Sequence, residues 1–406
     1  MAKANKKNRI TGASIALIVG IVLLAALVVS IFVMKVLNSS SLVSDPALAQ
    51  ALATYFDKSA RNVTEEDLAS IEYVSFATSG DLTLGGADAV AAYTESFTSG
   101  SNDAASVTKN VSLSKDLEDL EAALKLLPNV KYLSVGAHDQ FKSISQLSGL
   151  KNLQYLILSD AKITSLEGVS DLTGLVGLTL DHSRVTDFAG LKELSALKRF
   201  SAHGMEKVDL AAVSAVSGLE YLNLSETELS DLSGISALTG LTELNVAENK
   251  LTSLKGVEKF TELKTIYFSE NEIEDASPLT SLKKLAKVYA SGTKIAETLP
   301  FTEMEALEYL DLSDAAVTDW SVLTEWKESL PEDRSVTIVG MPEDGNEEGG
   351  ETDETAETTE PSTTESTEPA TGEAAQPSTS EDASAESGEN AQGGADSDGS
   401  DSSDDK

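Results

Sequence analysis

"LTELNVAENKLTSLKGVEKFTE", Leu241–Glu262, is followed at once by "LKTIYFSENEIEDASPLTSLKK", Leu263–Lys284. Leu241, Leu244, Val246, Asn249, Leu251, Leu254, Val257 and Phe260 are answered 22 residues later by Leu263, Ile266, Phe268, Asn271, Ile273, Ala276, Leu279 and Leu282. The spacing within a line mixes two periods. Its "LxL" alternates every second residue, the repeat of a strand with one face on a core, whereas the later apolar residues fall three apart, as in a tight coil. Such a line describes one turn of chain that cannot bury its own apolar residues and needs the next turn beside it.

Aligned on "LxxLxL", the line begins at Val130 and recurs at Leu153, Leu175, Leu197, Leu219, Leu241, Leu263, Leu285 and Leu307, a first interval of 23 residues and then seven of 22. Self-similarity at about 20–29 residues with this pattern is the signature of leucine-rich repeats. The expected fold class is an α/β repeat solenoid, a right-handed superhelix with a parallel concave sheet. Strands about 4.8 Å apart at these registers give a surface roughly 40 Å long. In the coil at Leu219, alternation sends Leu222 and Leu224 to the core and Tyr221, Asn223 and Ser225 outward, while Leu229, Leu232, Ile235 and Leu238 close the far side. The turn after each strand holds Ala161, Ser183, Met205, Thr227, Asn249, Asn271, Thr293 or Ala315. A buried Asn amide there would satisfy backbone groups of the turn. Ser and Thr can substitute in part, Ala and Met cannot. Lys207 falls in a core column with Val208 beside it, so the coil at Leu197 is expected to be distorted.

Ahead of the array, Asp45 and Pro46 mark a helix start, and Thr64 with Asp67 three residues on marks another. Ile71, Val74 and Phe76 imitate a repeat strand, and "SKDLEDLEAALKLL" reads as a helix leading into Val130. Residues 77–113 carry no clear pattern. After the array, Trp320 and Trp326 occupy core columns of the last full coil, and "SVTIVG" from Ser335 reads as an edge strand.

The two ends differ in kind from the repeats. Residues 1–9 carry Lys3, Lys6, Lys7 and Arg9, and Ile10–Met34 is a 25-residue stretch without a charged side chain. About 20 apolar residues span a bilayer as a helix, and the run exceeds the roughly 7–15 residues of a cleavable signal's apolar region. An uncleaved signal-anchor is therefore expected over cleavage near Ala47–Ala49. The basic stub places the N-terminus in the cytoplasm and the repeats outside the cell. From Pro342 to Lys406 stand 21 Asp and Glu against the one Lys406, out of a formal net charge of -37 for 406 residues. This tail has no Leu, Ile, Val, Phe, Tyr or Trp and is expected to be disordered. The expected organisation is a cytoplasmic stub at 1–9, a transmembrane helix at 10–35, a helical N-terminal cap with irregular coils at 36–129, the repeat array with its C-terminal cap at 130–341, and the acidic tail at 342–406.

Catalytic signatures are missing: the chain has no "GxSxG", "HExxH" or "GxxxxGK", and no cysteine. No cofactor and no metal site is expected. The three histidines, His138, His182 and His203, fall in the first four coils, with Asp160 and Asp181 near the last two, and read as surface polar residues rather than as a metal or pH-sensing patch. An acidic chain argues against nucleic acid as partner. Outward strand positions place Tyr132, Tyr155, Tyr221 and Tyr309 in one column of the concave face and Tyr267 and Tyr289 in the next, with Asn223, Asn245, Glu243 and Asp311 around them. Tyrosine brings contact area at low entropy cost. These ten residues are the candidate partner-binding set, for a basic protein or, alternatively, a glycan.

The 22-residue "LxxLxLxxNxLxxLxxLxxL" line, the helical segment ahead of it and the N-terminal membrane signal resemble the internalin-like leucine-rich-repeat surface proteins of Gram-positive bacteria, over about residues 45–340. The resemblance implies a non-catalytic binding protein that contacts a protein through its concave face. A second reading is a structural or regulatory subunit of an envelope complex that associates through its transmembrane helix. A third is a hydrolase whose site carries no recognised motif.

Overall fold

A computed structural model describes residues 42–77, 81–99, 106–114, 116–136 and 138–342. The expected membrane helix at 10–34 and the acidic tail from 343 lie outside them. Among the described residues no helix is long and apolar enough to cross a membrane.

Each repeat supplies one strand of three residues. The run is β4 (Tyr132–Ser134), β5 (Tyr155–Ile157), β6 (Gly177–Thr179), β7 (Arg199–Ser201), β8 (Tyr221–Asn223), β9 (Glu243–Asn245), β10 (Thr265–Tyr267), β11 (Lys287–Tyr289) and β12 (Tyr309–Asp311), all parallel to their neighbours. β13 (Thr337–Val339) joins β12 in parallel and occupies the far edge, where "SVTIVG" was read. The register keeps the period: Leu222 faces Leu244, and Leu244 faces Ile266. Beyond each strand the ladder runs on, as Leu224 N–H donates to Asn245 O and Val246 N–H to Tyr267 O.

The inward residues form one core that extends from Val43 to Val336. Leu222, Leu224, Leu232, Ile235 and Leu238 are all fully buried. Trp320 and Trp326 pack on this core, and Trp326, within the helix α6 (Ser321–Ser329), also meets the Arg334 guanidinium at 5.6 Å. At the turn column, Asn249 Nδ2 donates to Leu224 O, Val246 O and Ala247 O, and its Oδ1 accepts from Thr227 N–H and Leu229 N–H. Asn271 repeats the pattern one coil on. Thr227 and Thr293 each manage one donated bond, to Leu224 O and Ala290 O, so the partial substitution expected of threonine is what the coils contain.

The coil at Leu197 departs as expected, though in a different way. Lys207 is exposed rather than in the core column. An ammonium cannot be buried unpaired, and the chain swings outward so that Asp209 starts a short helix, α5 (Leu210–Ser214), capped through Ala211 N–H and Ala212 N–H.

On the N-terminal side α1 (Pro46–Phe56) begins at Asp45, whose carboxylate accepts from Ala47 N–H and Leu48 N–H and, across the chain, from Glu118 N–H at 2.5 Å. α2 (Glu65–Ala69) carries the Thr64–Asp67 reciprocal cap. β1 (Tyr73–Phe76) pairs parallel with β4 and antiparallel with β2 (Asp81–Gly85), which pairs antiparallel with β3 (Thr108–Ser112). Between β2 and β3 runs α3 (Ala87–Ser99), and α4 (Leu120–Lys125) precedes β4. The unpatterned stretch 77–113 thus adds two antiparallel strands and a helix to the array.

Candidate functional site

Alternation turns the first and third residue of every strand to the same face. From β4 to β12 the first column reads Tyr132, Tyr155, Gly177, Arg199, Tyr221, Glu243, Thr265, Lys287 and Tyr309, and the second ends in Tyr267, Tyr289 and Asp311. The six expected tyrosines do stand in these columns, but they fall into two groups.

Tyr132 and Tyr155 are buried, at 5% and 6% exposure, which corrects their assignment as partner contacts. α3 lies over them. Val90 and Tyr93 pack on this end, the Tyr93 ring standing edge-on to Tyr132 at 4.5 Å and to Tyr155 at 5.2 Å, and Tyr73 stacks on Tyr132 at 4.1 Å. Thr94 Oγ1 lies 3.3 Å from the Tyr155 hydroxyl. Burial drives the Tyr93 and Tyr132 phenols well above their ordinary range.

Tyr221, Tyr289 and Tyr309 remain half-buried, whereas Tyr267 is 8% exposed, which corrects its assignment as a partner contact too and leaves it as the buried base of the stack. Tyr267 and Tyr289 stack at 4.3 Å with planes 15° apart, and Tyr289 meets Tyr309 at 4.9 Å and 36°, so three strands share one aromatic strip. Toward the other end the Arg199 guanidinium sits 3.8 Å over the Tyr221 ring, a cation–π contact the sequence reading did not include. Glu243 follows Tyr221 on the next strand. Burial raises its carboxyl above the usual range, while Arg199 and Lys287 on either side pull it back down. The same carboxylate, after burial itself, raises the Tyr221 and Tyr267 hydroxyls.

The polar members of the candidate set have local duties. Asn223 Oδ1 accepts from Ser225 N–H, Asn245 Oδ1 from Ala247 N–H, and an Asp311 oxygen from Ser313 N–H, each at about the same strand end. Asn223 and Asp311 are buried as a result, at 2% and 7% exposure. They shape the turn out of the strand more than they offer themselves to a partner.

That turn produces a feature absent from the sequence reading. The third residue beyond each strand from β5 to β12 has positive φ: Asp160, His182, Gly204, Glu226, Glu248, Glu270, Gly292 and Asp314. Each from Asp160 to Gly292 donates its N–H to the next coil, to Asp181 O, His203 O, Ser225 O, Ala247 O, Ser269 O, Ser291 O and Ser313 O in order. The left-handed conformation lets the ladder continue around the bend, and it aligns the side chains into an exposed rim beside the strip. Two glycines give room to the coil before them: a Cβ on Gly204 would meet the His182 ring at 2.2 Å, and one on Gly292 the Glu270 carboxylate at 2.3 Å.

His182 and His203 contact ring to ring at 4.7 Å. His203 Nδ1 is 2.9 Å from Ser225 Oγ, and its Nε2 is 3.6 Å from Glu226. The Asp181 carboxylate accepts from Ser201 Oγ and from His203 backbone N–H, not from either ring. Among the described residues no group of three or more His, Cys, Asp or Glu is arranged to hold a metal ion.

With the coils, ladder and columns established, residues 217–260 match the family model described as Leucine Rich repeats (2 copies). The chain carries leucine-rich repeats. No curated protein matches it. Among solved structures it is similar to internalin C2 of Listeria monocytogenes, at 21% identity over 73% of this chain and 93% of that one with a TM-score of 0.41. Internalin F of the same organism gives 20% identity, 74% and 96% coverage and a TM-score of 0.48. A leucine-rich-repeat protein of Leptospira interrogans gives 21%, 54% and 57%, and 0.45. In this chain the parallel strand ladder is joined by β2, α3 and β3 at one end of the concave face.

Proposed function

We propose that this leucine-rich-repeat protein is a non-catalytic docking protein, held at the outer face of a cell membrane by residues 10–34, and that it takes a protein partner on the concave strip from β8 to β12. The observation that carries this reading is the pair of half-buried rings, Tyr289 and Tyr309, side by side and backed by the buried Tyr267 in one stack. Large aromatic side chains left partly exposed side by side are the anchors of protein interfaces. The chain supplies its own precedent. At β4 and β5 the same face carries tyrosines, and there α3 lays Val90 and Tyr93 onto them.

The test is affinity capture from membranes of the producing cell with the full-length protein and with its Tyr267→Ala, Tyr289→Ala double variant. A partner retained by the first and lost by the second is the expected result. Equal recovery by both, with loss on exchanging residues 10–34 for an unrelated apolar helix, would instead favour association through the membrane segment.

A further inference from the structure

The rim has a charge that the floor of the face does not. Along the floor Arg199, Glu243 and Lys287 alternate in sign on every second strand. At the left-handed positions stand Asp160, Glu226, Glu248, Glu270 and Asp314, with His182 as the one basic side chain among these positions. Glu226, Glu248 and Glu270 follow one another on three consecutive coils, about 4.8 Å apart by strand spacing. Two features oppose that arrangement. Like charges on adjacent strands repel, and a non-glycine side chain in the left-handed region is strained. Two residues further along, Lys250 pairs Glu228 at 2.9 Å and Lys294 pairs Glu272 at 3.0 Å, each lysine one coil beyond its glutamate. At the rim Glu226 has His203 Nε2 at 3.6 Å, and Glu226, Glu248 and Glu270 are all exposed.

We infer that the occupant of the open concave face is a basic segment of a second protein, lying with its apolar side on the tyrosine strip and its lysines or arginines against the rim carboxylates. This rests on the docking reading above and adds the chemistry of the partner. The argument is complementarity: an acidic edge beside an aromatic strip fits a cation on one side of an apolar segment, and the rings themselves attract such cations. An acidic segment would meet repulsion along three coils, and a neutral one would gain nothing from the rim.

The probe is a synthetic 16-residue amphipathic helix with leucine and tyrosine on one face and lysine on the other, and its counterpart with glutamate for lysine. Binding is measured to the full chain, to the rim variant Glu226→Gln, Glu270→Gln, Asp314→Asn, and to Tyr267→Ala, Tyr289→Ala. All three keep the acidic tail, so its attraction for lysine is common to them. Exposed charge pairs are individually weak and screened by salt, so the loss of three should make the rim variant bind the lysine helix about tenfold more weakly at low salt, with the difference shrinking as salt rises. The glutamate helix should not bind. Equal affinity for wild type and rim variant, with weakening in the tyrosine variant, overturns the charge inference and leaves docking on the strip standing. Weakening in the rim variant alone refutes docking on the strip and overturns the inference with it. No difference among the three assigns the attraction to the tail and overturns it as well.

Discussion

Replacing Asn271 by alanine should destabilise the array by about 3 kcal/mol. The side chain is 4% exposed and joins two coils: Nδ2 reaches Val246 O at 2.9 Å, Phe268 O at 3.0 Å and Ser269 O at 3.1 Å, and Oδ1 accepts from Leu251 N–H at 2.9 Å. An amide has two N–H groups, so two of the three carbonyls can be served fully at once. Three hydrogen bonds at about 1 kcal/mol each give the estimate, and orphaned buried groups, at about 1–3 kcal/mol apiece, set its upper side. Threonine should cost less than alanine, because Thr293 at the same place two repeats' distance from Asn249 keeps its bond to Ala290 O. The assay is urea unfolding followed by the fluorescence of Trp320 and Trp326, together with amide exchange at Leu251. Long repeat arrays can unfold in stages, and the exchange measurement reports on the coil that loses the bond. A loss below about 0.5 kcal/mol for alanine, or threonine worse than alanine, would refute the assignment of the amide as an inter-coil tie.

Gly136→Ala should lower the melting temperature, since its Cβ would fall 2.1 Å from Ser159 O, a backbone atom with little room to move; overpacking of this kind costs about 1–3 kcal/mol. Tyr93→Ala removes the ring that stands on Tyr132 and Tyr155, and should cost about 2–3 kcal/mol while raising amide exchange through α3 and opening both tyrosines to nitration. Glu243→Gln should be more stable than wild type at pH 7, with the advantage fading toward pH 4. The folded state raises this carboxyl, so it holds its proton more tightly than the unfolded chain does, and stability falls as pH climbs from the ordinary value of about 4.3 to the folded one. Asp231 and Asp275 run the other way: the hydroxyls and backbone N–H groups of Ser233 and Ser277 lower them, so their contribution is present above about pH 4 and is lost in acid. Melting curves of the single variants across pH 3–8 check both signs.

The 22-residue line was enough to read the ladder. Identical spacing of Leu222, Leu244 and Ile266 leaves one register in which all three are buried, and a slip of one residue would turn each to solvent. The tie at Asn249 and Asn271 was also legible, because a buried amide at a turn has few other uses. The candidate site was readable only as columns. Alternation put all six tyrosines on one face, but it says nothing about what lies above that face, and so it could not separate the half-open Tyr221, Tyr289 and Tyr309 from the covered Tyr132, Tyr155 and Tyr267.

By itself, then, the sequence determined the repeat, its register, the inward and outward sides of each strand and the residues that tie coil to coil, because those follow from local periodicity and from the need to bury apolar side chains. Tertiary structure decided that "ADAVAAYTESFTS", Ala87–Ser99, crosses the concave face and closes one end of it, a contact between segments more than 30 residues apart that no local pattern encodes. It also decided that residues from Asp160 to Asp314, scattered through eight coils, share a left-handed turn and form one acidic rim, since that conformation is imposed by the hydrogen-bond ladder between coils and not by the preferences of Glu or Asp.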